Sequence, residues 1–196
     1  MQTLSTGCHL KKLPIQPEVL STSQVASSAW QTAQFEAFRT GEHKLKLIFR
    51  DATQADLPFL IDMLADDELG EQREDTSGPL NQAYLSAFSH IRSDPNNELV
   101  VVEAENRIAG MLQLTFIPYL THVGSWRCLI EGVRIHNDFR RQGLGTKFFE
   151  WAIRHAKKKG CNLVQLTSDK QRPDAIRFYE DLGFKATHEG FKLKLD

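Results

Sequence analysis

Residues 130–146 read IEGVRIHNDFRRQGLGT, and they join an apolar strand-like run to a glycine-bearing loop and the start of a helix. The chain after Gly143 has helical spacing, because Leu144, Phe148 and Trp151 recur on one side. The first amides of a helix have no partner inside it, and they attract anions. The stretch therefore predicts an anion site where the strand gives way to the helix.

The side chains of this loop suit a phosphate or pyrophosphate. Gly143 and Gly145 carry nothing that would block a bound anion. Arg140, Arg141 and Gln142 add hydrogen-bond donors and positive charge. The spacing is neither that of a Walker loop nor that of the three-glycine dinucleotide motif. A glycine pair before a helix can also be only a tight turn, so the loop alone leaves both interpretations open.

The other hydrophobic runs alternate between strand and helix patterns. Strands are predicted at 45–50, 98–103, 107–116, 125–135 and 162–167, with one or two more within 184–195. Helices are predicted from residue 56, at 79–91, at 143–159 and at 173–182. This order predicts an α/β (α+β) fold with a single mixed, mainly antiparallel sheet flanked by helices.

Residues 1–44 are polar and contain no strand-like run, and we treat them as an N-terminal extension of a domain over 45–196. An apolar repeat of every four residues predicts one helix over 23–39; its members are Val25, Ala29, Ala33 and Ala37. This segment would dock on the main domain or on a second subunit, or remain a loosely held extension. Its Ser/Thr-rich start also resembles a transit peptide, but it has no arginine before residue 39.

The composition excludes several classes of protein. The chain has 196 residues, of which 41% are hydrophobic and 25% charged, as in a globular domain. Its net charge of −1 makes nucleic acid and acidic membrane surfaces unexpected partners. No apolar run approaches the roughly 18 residues of a membrane span. Three widely spaced cysteines give neither a disulfide framework nor a metal-ligand pattern, so we expect no metal and a cytoplasmic location.

Three motifs, in the correct order, resemble the GNAT N-acetyltransferase superfamily over residues 45–196. The first is Arg-x-x-Gly-x-Gly at 140–145, directly after a strand. The second is PDAIRFYEDLGF at 173–184, which is similar to the family's helix ending in Leu-Gly-Phe. The third is RDA at 50–52 with Asp56 and Leu57, which resembles the family's usual opening. The resemblance implies the acyl-CoA N-acyltransferase fold, with acetyl-CoA as the acetyl donor.

The resemblance also assigns residues to the acetyl-CoA site. The strand with Val133, Arg134 and Ile135 would bind the pantetheine arm through its backbone. The amides that would bind the pyrophosphate are those of Gln142, Gly143, Leu144, Gly145 and Thr146. Phe178 and Tyr179 would lie beside the thioester. Many members have Asn where this chain has Arg172, so a cofactor contact is either lost there or replaced by the guanidinium, on a phosphate.

Glu131 and Tyr179 are the predicted catalytic residues for direct attack of an amine on the thioester. An amine with a pKa of about 10.4 is protonated at pH 7, and freeing its lone pair costs about 4.6 kcal/mol. Glu131 would accept that proton, directly or through water, or would only orient the substrate. Tyr179 would protonate the thiolate of coenzyme A, unless it is a half-buried core tyrosine.

The acceptor is predicted from an acidic segment at 66–75, which holds six acids against one arginine. In the resembled family the connection between the first two helices lines the acceptor site. A cationic small-molecule or peptide amine, such as a polyamine, an aminoglycoside or a lysine side chain, is therefore one expectation. A solvated loop is the other. A homodimer and a non-catalytic acyl-CoA sensor on the same fold also remain open.

Overall fold

The computed structural model of the chain describes residues 34–40 and 43–195. Its strands lie side by side, in chain order, in one six-stranded sheet. The strands are β1 Gln34–Thr40, β2 His43–Asp51, β3 Asn97–Ala104, β4 Arg107–Pro118, β5 Trp126–Ile135 and β6 Leu163–Leu166. Neighbouring strands from β1 to β5 pair antiparallel, and β6 pairs parallel with β5. The predicted mixed, mainly antiparallel sheet is confirmed.

The helices of the described residues cover both faces of this sheet. They are α1 Leu57–Ala65, α2 Glu68–Glu71, α3 Gln82–Ser93, α4 Thr121–Gly124, α5 Leu144–Lys158 and α6 Pro173–Asp181. One hydrophobic cluster lies between the sheet and α5, with α6 packed against it. A second cluster joins the opposite face to α1 and α3. The sheet thus separates an α5 face from an α1 face.

The core on the α5 face is built from aromatic rings. Phe49 of β2 stacks on Trp151 of α5, with ring centroids 5.0 Å apart, and Phe148 lies 5.8 Å from Phe49. Burial of each side chain of this size stabilises the fold by about 1.5–3 kcal/mol. This packing fixes α5 on the sheet and so fixes the position of its first turn.

The helix predicted over 23–39 is wrong in its described part, because residues 34–40 form β1. β1 pairs with β2 from Gln34, opposite Phe49, to Thr40, opposite His43. Pairing with a neighbouring strand overrides the local four-residue repeat of alanines. Residues 23–33 of the predicted helix lie outside the described residues, and the division of the chain at residue 44 stays a prediction.

The closing strands predicted within 184–195 are also not formed, because the structure has no strand there. Phe191, Leu193 and Leu195 alternate as a strand would, but they are 94%, 86% and 88% exposed. Alternating apolar residues would form one face of a strand, but a strand also needs a neighbouring strand for its backbone hydrogen bonds. In the described residues the sheet ends at β6.

One extra residue in β5 interrupts its pairing with β4. Glu131 lies opposite Gln113 and Arg134 lies opposite Met111, so two residues of β5 face one of β4. Gly132, the first of those two, has a φ of +59°, which glycine adopts without steric strain. This is a β-bulge, a device that re-aims side chains and loosens strand pairing locally.

Candidate active site

The first turn of α5 presents unpaired amides. Lys147 donates its amide to the carbonyl of Gly143 at 3.2 Å, while the amides of Leu144, Gly145 and Thr146 precede it and have no acceptor inside the helix. Gly143 stands at the N-cap with a φ of +82°, and no side chain caps the helix. The turn therefore fits an anion, because no side chain within residues 34–40 and 43–195 caps these amides.

The side chains before this turn are held by hydrogen bonds. Gln142 donates its Nε2 to the carbonyl of Asp138 at 2.7 Å. Arg140 donates Nε to the carbonyl of Ile135 at 2.8 Å and Nη2 to Asp66 at 2.7 Å. Arg141 is exposed, with a φ of +59°. The predicted loop residues thus lie together, with Arg140 fastened to the end of β5 and Arg141 facing solvent.

Helix α6 packs against the first turns of α5 through aromatic side chains. A Cβ built on Gly145 would meet Cζ of Phe178 at 3.5 Å, so the two helices approach closely there. Phe149 of α5 contacts Phe178 and Tyr179, with ring centroids 5.5 Å away in both cases. The structure therefore brings the predicted Phe178 and Tyr179 beside the glycine turn.

Tyr179 is half-buried among these rings and lies near two guanidinium groups. Burial raises the pKa of the Tyr179 hydroxyl, while the positive charges of Arg172 and Arg134 act to lower it. The net pKa is above the ordinary value, so the hydroxyl is protonated at neutral pH. Tyr179 can therefore donate a hydrogen bond to a negative charge that develops next to it.

Glu131 lies exposed on β5, directly before the bulge. Its cross-strand partner Gln113 donates Nε2 to Oδ1 of Asn97 at 3.2 Å. Thr115 donates its hydroxyl to the same Asn97 oxygen at 2.8 Å. A polar row thus crosses β5, β4 and β3 here, and Glu131 is its charged and most accessible end.

The strand segment of Val133, Arg134 and Ile135 follows the bulge and divides between the two faces. Val133 and Ile135 pack against the α5-side cluster. Arg134 leaves on the other face, where its Nη1 donates to the Val133 carbonyl at 2.9 Å and its Nη2 reaches the Leu64 carbonyl at 3.5 Å. The backbone of this segment therefore borders the α5 turn while the Arg134 side chain does not.

Asp67 connects Arg134 and Arg172, and the sequence did not reveal this cluster. Its Oδ2 lies 2.8 Å from Nη2 of Arg172 and 3.4 Å from Nη2 of Arg134. Its Oδ1 accepts the amide of Gly70 at 2.7 Å and so caps α2. Burial raises the pKa of Asp67, but the Gly70 amide and the two arginines outweigh it and the pKa is lowered.

The acidic segment at 66–75 is neutralised in part inside the protein. Asp66 pairs with Arg140, and Asp67 pairs with Arg172 and Arg134. Glu74 accepts the hydroxyl of Tyr84 at 2.8 Å. The local charge that favoured a cationic acceptor is therefore reduced where the segment meets the site.

The described residues contain neither a metal-binding cluster nor a membrane-spanning helix. Residues 34–40 and 43–195 contain no group of three or more His, Cys, Asp or Glu side chains able to hold a metal ion. None of the helices in the same ranges combines the length and the apolar character that a bilayer span requires.

The fold and the family to which the chain belongs define an acetyltransferase. The sequence profile described as the acetyltransferase (GNAT) family matches residues 61–184, more than half of the chain. The chain therefore belongs to the GNAT family, whose members use acetyl-CoA. This confirms the predicted superfamily, fold and acyltransferase class.

The most informative relatives include both enzymes and a regulator. The chain is 29% identical over 114 residues to the aminoalkylphosphonate N-acetyltransferase of Salmonella typhimurium, a match that covers 58% of this chain and 73% of that enzyme. It is 55% identical to a transcriptional regulator from Bacillus halodurans, whose crystal structure matches with a TM-score of 0.73 over 76% of this chain and 99% of that one.

A second solved structure shows the same fold at low identity. It is a predicted acetyltransferase with acetyl-CoA from Clostridium acetobutylicum, which is 18% identical and has a TM-score of 0.59. The match covers 76% of this chain and 96% of that one.

Proposed function

We propose that the protein transfers the acetyl group of acetyl-CoA to a primary amine by direct attack on the thioester. The observation that carries the proposal is the uncapped first turn of α5, with its glycines, beside the bulged end of β5. The family match and the N-acetyltransferase relative from Salmonella support an amine as the acceptor.

Acetyl-CoA, when bound, supplies an activated acetyl group. The amides of Gln142 through Thr146 would bind its diphosphate, with the guanidinium groups of Arg140 and Arg141 adding charge. The backbone from Val133 to Ile135 would hold the pantetheine arm, and Phe178 would pack beside it. Arg172 as a cofactor contact stays a prediction, because its guanidinium contacts Asp67 in the structure.

Glu131 is the proposed base. Attack by the amine forms a nitrogen–carbon bond and breaks the carbon–sulfur bond, and the nitrogen must lose its proton for this to occur. The exposed Glu131 carboxylate, at the end of the polar row, would accept that proton directly or through a water. In the alternative it would only orient the ammonium group.

Tyr179 is the proposed donor to the departing thiolate. Burial makes its hydroxyl a weaker acid than a free tyrosine, so complete proton transfer to a thiolate with a pKa near 8.5 is uphill. Arg134 and Arg172 counter this effect because their positive charges stabilise the ionised form. A hydrogen bond from Tyr179 would therefore strengthen as negative charge grows on the sulfur.

An amine screen tests the proposal. The full chain is mixed with acetyl-CoA and a panel of primary amines, and the product is identified by its mass. We expect acetylated amine and free coenzyme A in equal amounts. Acetyl-CoA binding without turnover on any amine would contradict the transfer function.

A second candidate function is that of a non-catalytic acyl-CoA sensor. The observation in its favour is the 55% identity to a protein named as a transcriptional regulator. A sensor would bind acetyl-CoA as tightly as an enzyme does, but amines would not increase the release of coenzyme A. The same screen therefore distinguishes the two functions.

The cellular location, the acceptor and the assembly of the protein are also proposals. Cys128 and Cys161, the cysteines within the described residues, are free thiols, which is consistent with a reducing cytoplasm. We keep a small-molecule or peptide amine as the acceptor, and a homodimer as the expected assembly. Sedimentation of the full chain, with and without acetyl-CoA, tests the assembly.

A further inference from the structure

We propose that the acceptor carries an anionic group close to its amine, and that Arg134 and Arg172 bind this group while Glu131 receives the amine. The inference rests on the proposed acetyl transfer and names the class of its substrate. That class is the short amino acids in the broad sense: amines that end in a phosphonate, phosphate or carboxylate.

Glu131 and Arg134 lie on the same face of the sheet. Residues directly opposite in an antiparallel pair point to one face, so Glu131 shares the face of Gln113, and Arg134 that of Met111. Gln113 and Met111 are two residues apart on β4 and therefore share a face as well. The bulge at Gly132 thus places Glu131 and Arg134 on one face of the sheet, opposite two β4 residues whose Cα atoms are about 7 Å apart along the strand.

That face is the α1 face and not the α5 face. Met111 belongs to the cluster with α1 and α3, whereas Val133 and Ile135 pack toward α5. The diphosphate site at the first turn of α5 therefore lies on the other side of β5 from the Arg134 side chain. A ligand that reaches Arg134 and Glu131 together approaches from the side proposed for the acceptor.

The cluster at Arg134 holds an excess of positive charge. Arg134 and Arg172 share one carboxylate, that of Asp67, while Arg73 and Glu74 nearby add one charge of each sign. The Arg134 side chain is only 13% exposed, and its buried Nε has no hydrogen-bond partner. A buried guanidinium N–H without a partner is costly, and two arginines share one carboxylate here, so the cluster favours a further anion.

The geometry of the two groups favours an oxyanion. Guanidinium groups bind carboxylate and phosphate oxygens with two parallel hydrogen bonds, and Arg172 is one-third exposed and so reachable from the cleft. A cationic acceptor would be repelled by the same pair. A zwitterionic acceptor would instead place its ammonium at Glu131 and its anionic end at the arginines.

Three primary amines that differ in charge test the proposal: aminoethylphosphonate, ethanolamine and spermidine. Ethanolamine replaces the phosphonate with a neutral hydroxyl, and spermidine is polycationic. We expect kcat/KM of the unmodified protein to be at least about tenfold higher for aminoethylphosphonate than for the other two. A preference for ethanolamine or spermidine would overturn the proposal.

Variants at the arginines identify where the anion binds. Arg172→Gln should lower kcat/KM for aminoethylphosphonate about tenfold more than it lowers kcat/KM for ethanolamine, because loss of the Arg172 charge near Tyr179 affects both acceptors alike. The KM of acetyl-CoA should change by less than about twofold. Arg134→Lys keeps the positive charge but cannot form two parallel hydrogen bonds to an oxyanion. It should therefore also lower kcat/KM for aminoethylphosphonate. Arg177→Gln, an exposed arginine five residues further along, is the matched control and should change neither value.

Two kinetic results would contradict the assignment. An equal loss for charged and neutral amines would show that Arg172 acts through Tyr179 or through the structure, and that it does not bind the anion of the acceptor. A raised KM for acetyl-CoA with an unchanged preference among acceptors would show that its guanidinium binds a phosphate of the cofactor.

A binding measurement separates this inference from the proposed turnover. Aminoethylphosphonate is titrated by calorimetry into the protein saturated with coenzyme A, for the unmodified chain and for Arg172→Gln. If Arg172→Gln weakens this binding at least about tenfold while the amine screen with acetyl-CoA gives no acetylated product, the anion site is retained and the enzyme is rejected. No binding by the unmodified chain would reject the anion site.

Discussion

Gly143 and Gly160 stand at opposite ends of α5 with almost the same backbone conformation, since their φ angles are +82° and +84°. Both values lie in the left-handed region, where a residue with a Cβ atom is strained. Gly143 adjoins the unpaired amides of the first turn, whereas Gly160 follows the last turn. The two positions therefore separate backbone strain from anion binding.

Gly143→Glu is expected to abolish acetyl-CoA binding, because a carboxylate there competes with and repels the diphosphate. Both substitutions should lower the free energy of unfolding by about 1–2 kcal/mol, since both positions have a positive φ. Gly160→Glu should nevertheless leave the affinity for acetyl-CoA unchanged. Calorimetric titration with acetyl-CoA and thermal denaturation of both variants give the two quantities. Equal loss of binding in both variants, or unmodified affinity in Gly143→Glu, would contradict the loop assignment.

Tyr179→Phe should lower kcat about 10²-fold and leave the affinity for acetyl-CoA almost unchanged. The physical reason is that the ring packing on Phe149 is retained, while the hydroxyl that would stabilise the thiolate is lost. Single-turnover kinetics and acetyl-CoA titration measure the two effects. Tyr119→Phe, beyond the end of β4, is the control, and an undiminished rate in Tyr179→Phe would remove the hydroxyl from the mechanism.

Glu131→Gln should reduce kcat/KM about 10²-fold at pH 7, because the amide cannot take up the proton of the amine. The deficit should shrink as the pH approaches the pKa of the acceptor, near 10.4, where the free amine is already present. A pH profile of both proteins measures this recovery.

The shape of that profile decides between the two roles of Glu131. A deficit of constant size from pH 7 to pH 10 would show that Glu131 orients the acceptor rather than accepting its proton. Glu150→Gln, at an exposed glutamate that pairs with Lys147 on α5, should follow the unmodified profile throughout.

The sequence was sufficient for those parts of the fold and site that local patterns determine. The anion turn could be predicted because Gly143 and Gly145 flank the first residue of a helix whose apolar residues repeat with helical spacing. Gly132 carried a further signal, since an isolated glycine inside a strand is typical of a bulge. With that signal, the faces of Glu131 and Arg134 could have been predicted as well.

The remainder depends on contacts between distant residues, which no local pattern encodes. Asp67 and Arg172 are 105 residues apart in the chain, and the six acids of 66–75 gave no sign that arginines neutralise two of them. The strand at Gln34–Thr40 likewise exists through its pairing with β2, although its Ala37 continues an apolar repeat of helical period.

Glu98 forms a buried ionic cluster on the α5 face that is separate from the site. Its Oε2 lies 2.7 Å from Nε2 of His155, and its Oε1 lies 2.7 Å from Nζ of Lys159. Burial raises the pKa of Glu98, but the hydrogen bonds from His155 and Lys159 outweigh it, and the pKa is lowered. The ionised carboxylate is therefore favoured in the folded state relative to the unfolded chain.

This sign predicts how stability responds to acid. The contribution of Glu98 should be complete above its unfolded pKa of about 4.3 and should disappear as the pH falls through the lower folded value. Denaturant unfolding from pH 7 to pH 3 should therefore show a smaller loss of stability in Glu98→Gln than in the unmodified protein. At pH 7 the variant should be less stable by about 3 kcal/mol, because His155 and Lys159 lose their buried partner. Glu150→Gln, at the pair with Lys147, should have the same pH dependence of stability as the unmodified chain. If Glu98→Gln and the unmodified chain lose stability in parallel as the pH falls, the Glu98 cluster does not control acid stability.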